Sequence, residues 1–118
     1  MTTTRSPEPL LWILFSAGGV LSALAMPVLV LLFGLAFPLG WVSSPEHGAL
    51  VTLVSHPLAR IAGFCFFSLS LFHWAHRFRY TLYDGLQIKH LDEMINLLCY
   101  GGAIAGTVWA AILLWRIP

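Results

Sequence analysis

Three side chains that could bind or transfer a proton lie close together near residue 75 of this sequence. His73 and His76 are three residues apart, and Arg77 follows at once, in the stretch LFHWAHRFRYTLYDGLQIKH that spans residues 71–90. Residues three or four apart share one face of a helix, so the spacing predicts a single histidine and arginine face. Ionisable groups inside an apolar helix normally face a bundle interior or a polar cavity.

Three kinds of site are compatible with such a face: a haem ligand, a metal ligand and a hydrogen-bonding partner of a quinone. Haem b needs two axial ligands, and neither the first nor the third apolar segment contains a histidine. A haem held by this chain alone is therefore disfavoured, while a haem shared with a partner chain stays an alternative. Zinc sites take three or four Cys, His or carboxylate ligands, and no such set converges in the sequence.

A quinone site needs apolar or aromatic walls, donors to its oxygens and a proton carrier close to water. Trp12, Phe15 and Ser16 lie at the start of the first apolar segment, in LLWILFS. An indole N–H donates, a hydroxyl donates or accepts, and histidine exchanges protons near neutral pH. These residues would share a membrane face with His76, and so they are candidates for one pocket.

The composition indicates an integral membrane protein. Of the 118 residues, 58% are hydrophobic, only 9% are charged, and the net charge is +1. Soluble domains carry about 25% charged residues, so this chain has too few charges to cover the surface of a soluble domain. The weak charge gives no case for nucleic acid. Cys65 and Cys99 lie in apolar segments, and we expect both to be buried.

Three apolar segments predict three transmembrane helices, over about 10–36, 58–78 and 94–115, because about 20 apolar residues span a bilayer. The whole chain, residues 1–118, is therefore expected to form a single all-α domain. Pro27 removes a backbone donor and predicts a kink in the first helix. Arg60 is expected to extend towards the headgroups. Arg79 and Lys89 are interpreted as polar groups at a helix end. A loop is expected to contain Tyr83, Asp84 and His90.

The positive charges predict the orientation. Arg5, Arg77, Arg79 and Lys89 lie on one side of a three-span chain, and the other side holds Arg60 and Arg116. Short loops rich in Lys and Arg stay in the cytoplasm, which places the N-terminus inside and the C-terminus outside.

Small residues at four-residue spacing predict close helix contacts. Such pairs are Gly18 with Ser22 on the first helix and Gly102 with Gly106 on the third. Within lipid, helices associate through close backbone packing at such positions. The seams could hold this chain together or bind a partner membrane chain, and both interpretations stay open.

Two segments resemble a known family. EPLLWILFSAGGVLSALAMPVLVLLFGLAFPLGW is similar to the first transmembrane segment of the D-type membrane-anchor chain of quinol:fumarate reductase, in its Trp-x-x-Phe-x-Ala-Gly-Gly order, its mid-helix proline and its Pro-Leu-Gly exit. ARIAGFCFFSLSLFHWAHRFRYTLYDGLQI resembles the second segment, with an arginine at its start and a His-Arg pair sixteen residues later. The third segment matches only in character.

The resemblance implies a non-catalytic, multi-pass anchor in the bacterial cytoplasmic membrane. Its partners would be a flavoprotein subunit, an iron–sulfur subunit and a second three-helix anchor, which completes a two-chain bundle. Flavin and iron–sulfur clusters would belong to the partners, menaquinol would be oxidised at the interface, and no haem is expected. By the same resemblance the quinone site contains Trp12, Phe15, His76 and Arg77, with Ser16 where the family can have glycine, and neither catalytic nor metal-binding residues are assigned.

Two other functions remain as alternatives. One is a cytochrome-type anchor of succinate dehydrogenase, in which His73 or His76 would hold haem b with a partner chain. The other is a small transporter or assembly protein. A transporter is expected to show repeats or a broken helix with charge at mid-membrane, and Pro27 is the one such hint.

Overall fold

The computed structural model describes residues 6–118, and in that range the chain is all-α. Arg5, counted above in the charge bias, lies outside the described residues. The helices are α1 (Glu8–Leu29), a π-helical segment (Val30–Ala36), α2 (His47–Ser55), α3 (Pro57–Gly85), a 3-10 turn (Lys89–Leu91) and α4 (Asp92–Arg116). Three of these stretches are long and apolar enough to cross a membrane: Glu8–Ala36, Pro57–Gly85 and Lys89–Arg116. The prediction of a multi-pass all-α membrane protein is confirmed.

The first span is not a uniform α-helix. Pro27 lies within α1, and three residues later the helix widens into the π-helical segment, where the Phe37 amide donates to the Leu32 carbonyl at 2.9 Å. The predicted bend in the first span is confirmed. The span ends in a turn at Gly40, whose positive φ of 71° suits glycine.

The long helix α3 lies between the other two spans and packs against α1 on one side and α4 on the other. The buried core is at the α3–α4 contact and consists of Ala75, Tyr83, Ile95, Cys99 and Ala103. Small side chains at Ala75 and Ala103, both 0% exposed, let the two helices approach closely. Of the two cysteines, Cys99 is buried as expected, whereas Cys65 is exposed on the outside of the chain.

The small-residue seams divide into contacts within the chain and open positions. A Cβ on Gly18 would lie 2.3 Å from the Leu69 carbonyl oxygen, so α1 and α3 touch backbone to backbone there. One turn on, the hydroxyls of Ser22 and Ser70 are 2.8 Å apart and hydrogen-bonded. Gly106 faces Leu71, whereas nothing of the described chain lies within 4 Å of a Cβ on Gly102.

The second membrane helix is longer than its apolar run predicts. It continues past residue 78 to Gly85, so Tyr83 and Asp84 are helical and do not lie in a loop. The extension is stabilised because polar side chains in it bond to the start of α4. The connection is therefore short and contains the 3-10 turn and Gln87, which has a positive φ of 55°.

The helix α2 was not predicted. It occupies His47–Ser55 between the first two spans, and α3 starts directly afterwards at Pro57. Between them, the His56 ring nitrogen Nδ1 accepts a hydrogen bond from the Leu58 amide at 3.2 Å and caps α3. Proline at the first helical position completes this start, since its missing N–H would be unpaired there anyway.

Candidate functional site

A cleft of about 490 Å³ lies between the helices at the Trp12 end of the molecule, where α1 begins, α3 ends and α4 begins. Trp12 and Phe15 line it from α1, His76 lines it from α3, and Tyr100 lines it from α4. The other lining residues are apolar except for one carboxylate: Leu11, Leu14, Leu69, Phe72 and Glu8. The structure therefore brings together three of the five predicted site residues.

The aromatic residues form a wall around the His76 ring. The centre of the Phe15 ring lies 4.7 Å from that of His76, and the two planes meet at 66°. Trp12 is 6.2 Å from His76 at 81° and 5.8 Å from Phe15. Trp12 is 61% exposed, so this side of the cleft opens towards the bilayer or towards a partner chain.

His76 is oriented by a residue that the sequence did not indicate. Its Nδ1 lies 2.9 Å from the hydroxyl oxygen of Tyr100, on α4. That hydrogen bond leaves Nε2 as the ring nitrogen that is free for a ligand. A side-chain partner of this kind fixes how a histidine ring is turned.

His73, which the sequence left without a role, ties α1 to α3. Its ring stacks on Phe15 at 4.3 Å with an interplanar angle of 19°, and its Nδ1 lies 2.9 Å from the Phe15 carbonyl oxygen. A carbonyl only accepts, so the Nδ1–H of His73 donates. The ring also lies against Gly19, where an added Cβ would be 2.5 Å from the His73 ring. His73 thus holds the aromatic wall in place.

The two remaining predicted residues, Ser16 and Arg77, do not line the cleft. They line an adjoining open groove of about 390 Å³, together with Phe15, Gly19, Val20 and His73. Phe15 lines both the groove and the cleft, and the His73 ring is stacked on it. The predicted site is therefore divided into two neighbouring halves.

A polar cluster joins α3 to α4 next to the cleft; we name it the Arg79 cluster. Arg79 donates from Nη1 to the Asn96 side-chain oxygen and from Nη2 to the Tyr80 hydroxyl, both at 3.0 Å. The Tyr83 hydroxyl donates to a carboxylate oxygen of Asp92, and Asn96 donates to the same oxygen at 3.2 Å. Arg79 and Tyr83 are therefore interhelical contacts and not simple surface groups.

The Arg79 cluster reaches the cleft through an aromatic ring. The Arg79 guanidinium lies 4.6 Å from the centre of the Tyr80 ring and 5.5 Å from that of Tyr100, within the range of cation–π attraction. Tyr100 thus contacts the cluster with its ring and His76 with its hydroxyl. One signal for this arrangement is present in the sequence: Asn96 and Tyr100 are polar residues four positions apart on a largely apolar helix.

The opposite end of the molecule is closed by Arg60. This side chain donates from Nη2 to the Ile117 carbonyl at 2.5 Å and from Nε to the Val54 carbonyl at 3.4 Å. Nearby, the Ser55 hydroxyl donates to the Pro118 carbonyl oxygen. Carbonyls at the ends of α2 and α4 hold the Arg60 guanidinium at this end of the molecule, and its extension towards the headgroups stays a prediction.

Known proteins match almost the whole chain. A family model that describes the D subunit of fumarate reductase matches residues 2–115. The proteins named as this D subunit from Mycobacterium tuberculosis and Mycobacterium bovis are each 52% identical over 110 residues, covering 93% of this chain and 88% of theirs. The protein of the same name from Shewanella putrefaciens is 39% identical over 110 residues, covering 92% and 89%. Because these relatives are named as one subunit of fumarate reductase, their name implies that they belong to a multi-subunit complex. The chain belongs to the fumarate reductase D-subunit family.

Proposed function

We propose that this subunit is a membrane anchor of a quinol:fumarate reductase and that the cleft at its Trp12 end binds the head group of menaquinol. In this proposal a second three-helix chain completes the anchor bundle, and the pair holds an iron–sulfur subunit and a flavoprotein subunit at the bacterial cytoplasmic membrane. The observation that carries the proposal is the cleft itself, in which Trp12, Phe15 and His76 converge at one membrane face.

The cleft fits a flat bicyclic ligand in size and lining. Ligand sites commonly measure about 300–1,000 Å³ and are mostly apolar with a few placed polar groups. Here the rings of Trp12 and Phe15 provide the walls, and His76 provides the polar contact. Because Leu11 and Trp12 are 59% and 61% exposed, the cleft has an open side through which an isoprenoid tail can pass into the bilayer.

The charge distribution supports a cytoplasmic position for the cleft. The Trp12 end carries Arg77, Arg79 and Lys89, and the other end carries Arg60 and Arg116. The more basic side of a membrane protein faces the cytoplasm. An iron–sulfur subunit on that side would lie next to the head group, and so electrons would travel a short way from quinol to the first cluster.

Ser16 and Arg77 remain part of the proposed site, with a weaker part than His76. They line the adjoining groove, so a head group in the cleft meets His76 before it meets either of them. Arg77 still places a permanent positive charge beside the shared Phe15 wall. We therefore expect Arg77→Leu to slow quinol oxidation less than His76→Ala does.

The same geometry speaks against the haem-binding alternative. Both histidines of the site lie on α3, one helical turn apart, so they cannot bind one haem from its two opposite faces. Neither α1 nor α4 contains a histidine that could serve as the second axial ligand. We propose that this subunit contributes no haem ligand.

The test compares two activities of the assembled complex. Oxidation of a menaquinol analogue needs the membrane site, whereas fumarate reduction by a soluble electron donor bypasses it. In His76→Ala we expect quinol oxidation to fall about 100-fold or more, the usual worth of a placed acid–base group, while the bypass activity is retained. His47→Ala, at the start of α2, is the matched control and should leave both activities unchanged.

Two results would contradict the proposal. If His76→Ala lowered both activities equally, the residue would serve assembly only. If quinol oxidation were unchanged, His76 would not belong to the quinol site, and the cleft would lose its proposed ligand.

A further inference from the structure

The two histidines near the cleft differ in the group that holds their Nδ1. For His73 the partner is the Phe15 carbonyl oxygen at 2.9 Å, which can only accept. Its proton is therefore fixed on Nδ1. For His76 the partner is the Tyr100 hydroxyl at 2.9 Å, and a phenol can both donate and accept. The partner of His76 consequently does not fix its tautomer.

We propose that Tyr100 is a positioning residue of the quinol site. Its hydroxyl holds the His76 ring in one orientation and still allows the ring to change tautomer. This inference rests on the proposed function. When the His76 Nδ1–H donates to the Tyr100 hydroxyl oxygen, Nε2 has a free lone pair and can accept a proton from a quinol hydroxyl. When the Tyr100 hydroxyl donates to Nδ1, Nε2 carries a proton and can donate to a quinone oxygen. One hydrogen bond, reversed in direction, serves both substrate and product.

The proton and electron balance is that of quinol oxidation. Each quinol loses two electrons and two protons and becomes a quinone. Under the proposed function, the electrons would pass to iron–sulfur clusters of a partner subunit. The protons leave one at a time from the quinol hydroxyls to Nε2 of His76. The ring then becomes neutral again in one of two ways: Nε2 gives a proton to water at the Trp12 end, where Glu8 lines the same cleft, or Nδ1 gives its proton to the Tyr100 oxygen while the phenol proton passes to water. The second route leaves the proton on Nε2 and so changes the tautomer.

A carbonyl partner would give a different result. If His76 were held as His73 is, the neutral ring would keep its proton on Nδ1, so its Nε2 could only accept and could not donate a hydrogen bond to a quinone oxygen. The two histidines therefore differ in the partner of Nδ1, which is a hydroxyl for His76 and a carbonyl for His73. His73 keeps the wall rigid, and His76 exchanges the proton.

Tyr100→Phe tests the proposal with little change in packing. The variant removes only the hydroxyl and keeps an aromatic ring beside the Arg79 guanidinium. We expect kcat for quinol oxidation to fall about 10- to 100-fold, the size of effect known for losing the hydrogen-bonding partner of a metal-ligating histidine. KM should change little, and the fumarate reduction that bypasses the membrane should not change.

Tyr80→Phe is the matched control. The Tyr80 ring centre lies 5.2 Å from that of His76, so a disturbance of packing at Tyr80 would reach the histidine, but its hydroxyl bonds Arg79 and not His76. This variant should retain the kcat of quinol oxidation. A loss as large as that of Tyr100→Phe would show that packing near His76, and not the hydrogen bond, is what matters.

A double-mutant cycle separates action through His76 from direct action on the substrate. In a His76→Ala background, adding Tyr100→Phe should cause no further loss of kcat, because residues that act through one group are not additive. Additive losses would overturn the proposal, and so would a raised KM at unchanged kcat, since Tyr100 would then bind the quinol itself. If His76→Ala alone had no effect, the proposed quinol site would fail before this inference is reached. Both activities are measured on the same preparation, so their ratio holds even where a variant assembles in low yield.

Discussion

Replacing Gly18 by alanine should separate α1 from α3. An added Cβ would lie 2.3 Å from the Leu69 carbonyl oxygen and 2.8 Å from the Leu69 carbonyl carbon. Normal contacts of this type are about 3.3–3.6 Å, so the helices must move apart by about 1 Å. The obstructing atoms are backbone, and so no side-chain rotation can relieve the contact.

The expected cost combines overpacking with lost hydrogen bonds. Overpacking of a closed contact costs about 1–3 kcal/mol. The same movement stretches the Ser22–Ser70 hydrogen bond and the one from His73 to the Phe15 carbonyl, which measure 2.8 and 2.9 Å. Interhelical hydrogen bonds in membranes are worth about 0.6 kcal/mol each, which brings the total to about 2–4 kcal/mol.

The assay is thermal unfolding of the purified complex, with quinol oxidation measured in parallel because α1 carries Trp12 and Phe15. Gly106→Ala is the first control, since its Cβ would meet Leu71 Cδ1 at 2.9 Å, the far end of a flexible side chain, and should cost less. Gly102→Ala meets nothing of the described chain and should be neutral within this subunit. If Gly18→Ala were as stable and active as Gly102→Ala, the backbone contact between α1 and α3 would be refuted.

Three further predictions concern the uncovered position of Gly102, the orientation of the chain in the membrane and the role of the histidines. Gly102→Leu should lower the thermal stability of the complex but not of the isolated subunit, because a partner helix would cover that position; equal stability of the parent and variant complexes would show that lipid covers it. A reporter active only outside the cytoplasm should work when fused after Pro118, and activity of a cytoplasm-only reporter there would reverse the orientation. A reduced-minus-oxidised spectrum of the complex should show no b-type band that depends on this chain, and a band lost in His73→Ala or His76→Ala would establish the cytochrome alternative.

The membrane spans could be predicted from the sequence because their signals are local. Uncharged runs, the proline at position 27 and the charges at the helix ends all act within a few residues of the structure they determine. The end of α3 could not be predicted in this way. Its last two turns are polar, as expected of a segment in water, and they stay helical because Arg79 and Tyr83 bond Asn96 and Asp92 on α4. A contact with a distant helix overrides the local pattern there.

The candidate site shows the same division. Trp12, Phe15 and His76 could be named from the sequence, since the first helix starts at the membrane face where the second ends. Tyr100 could not, because a single tyrosine in an apolar span is commonly an interfacial group. Its proposed role depends on the rotation of α4 about its own axis, which is set by packing at the Ala75–Ala103 core. The Asn96–Tyr100 spacing marks a polar face of α4, but it does not indicate which residue that face meets.

The central position of α3 links the stability of this subunit to its proposed chemistry. The first span contacts the rest of the described chain chiefly through α3, at Gly18, Ser22 and the His73–Phe15 pair. Phe15 is therefore both a packing contact of α1 and a wall of the cleft. A change that only loosens the helix pair must also move that wall relative to His76, whose position is fixed separately from α4. Quinol oxidation should consequently be more sensitive than assembly to substitutions along the α1–α3 contact, since the cleft is formed by two helix pairs that meet at a single histidine.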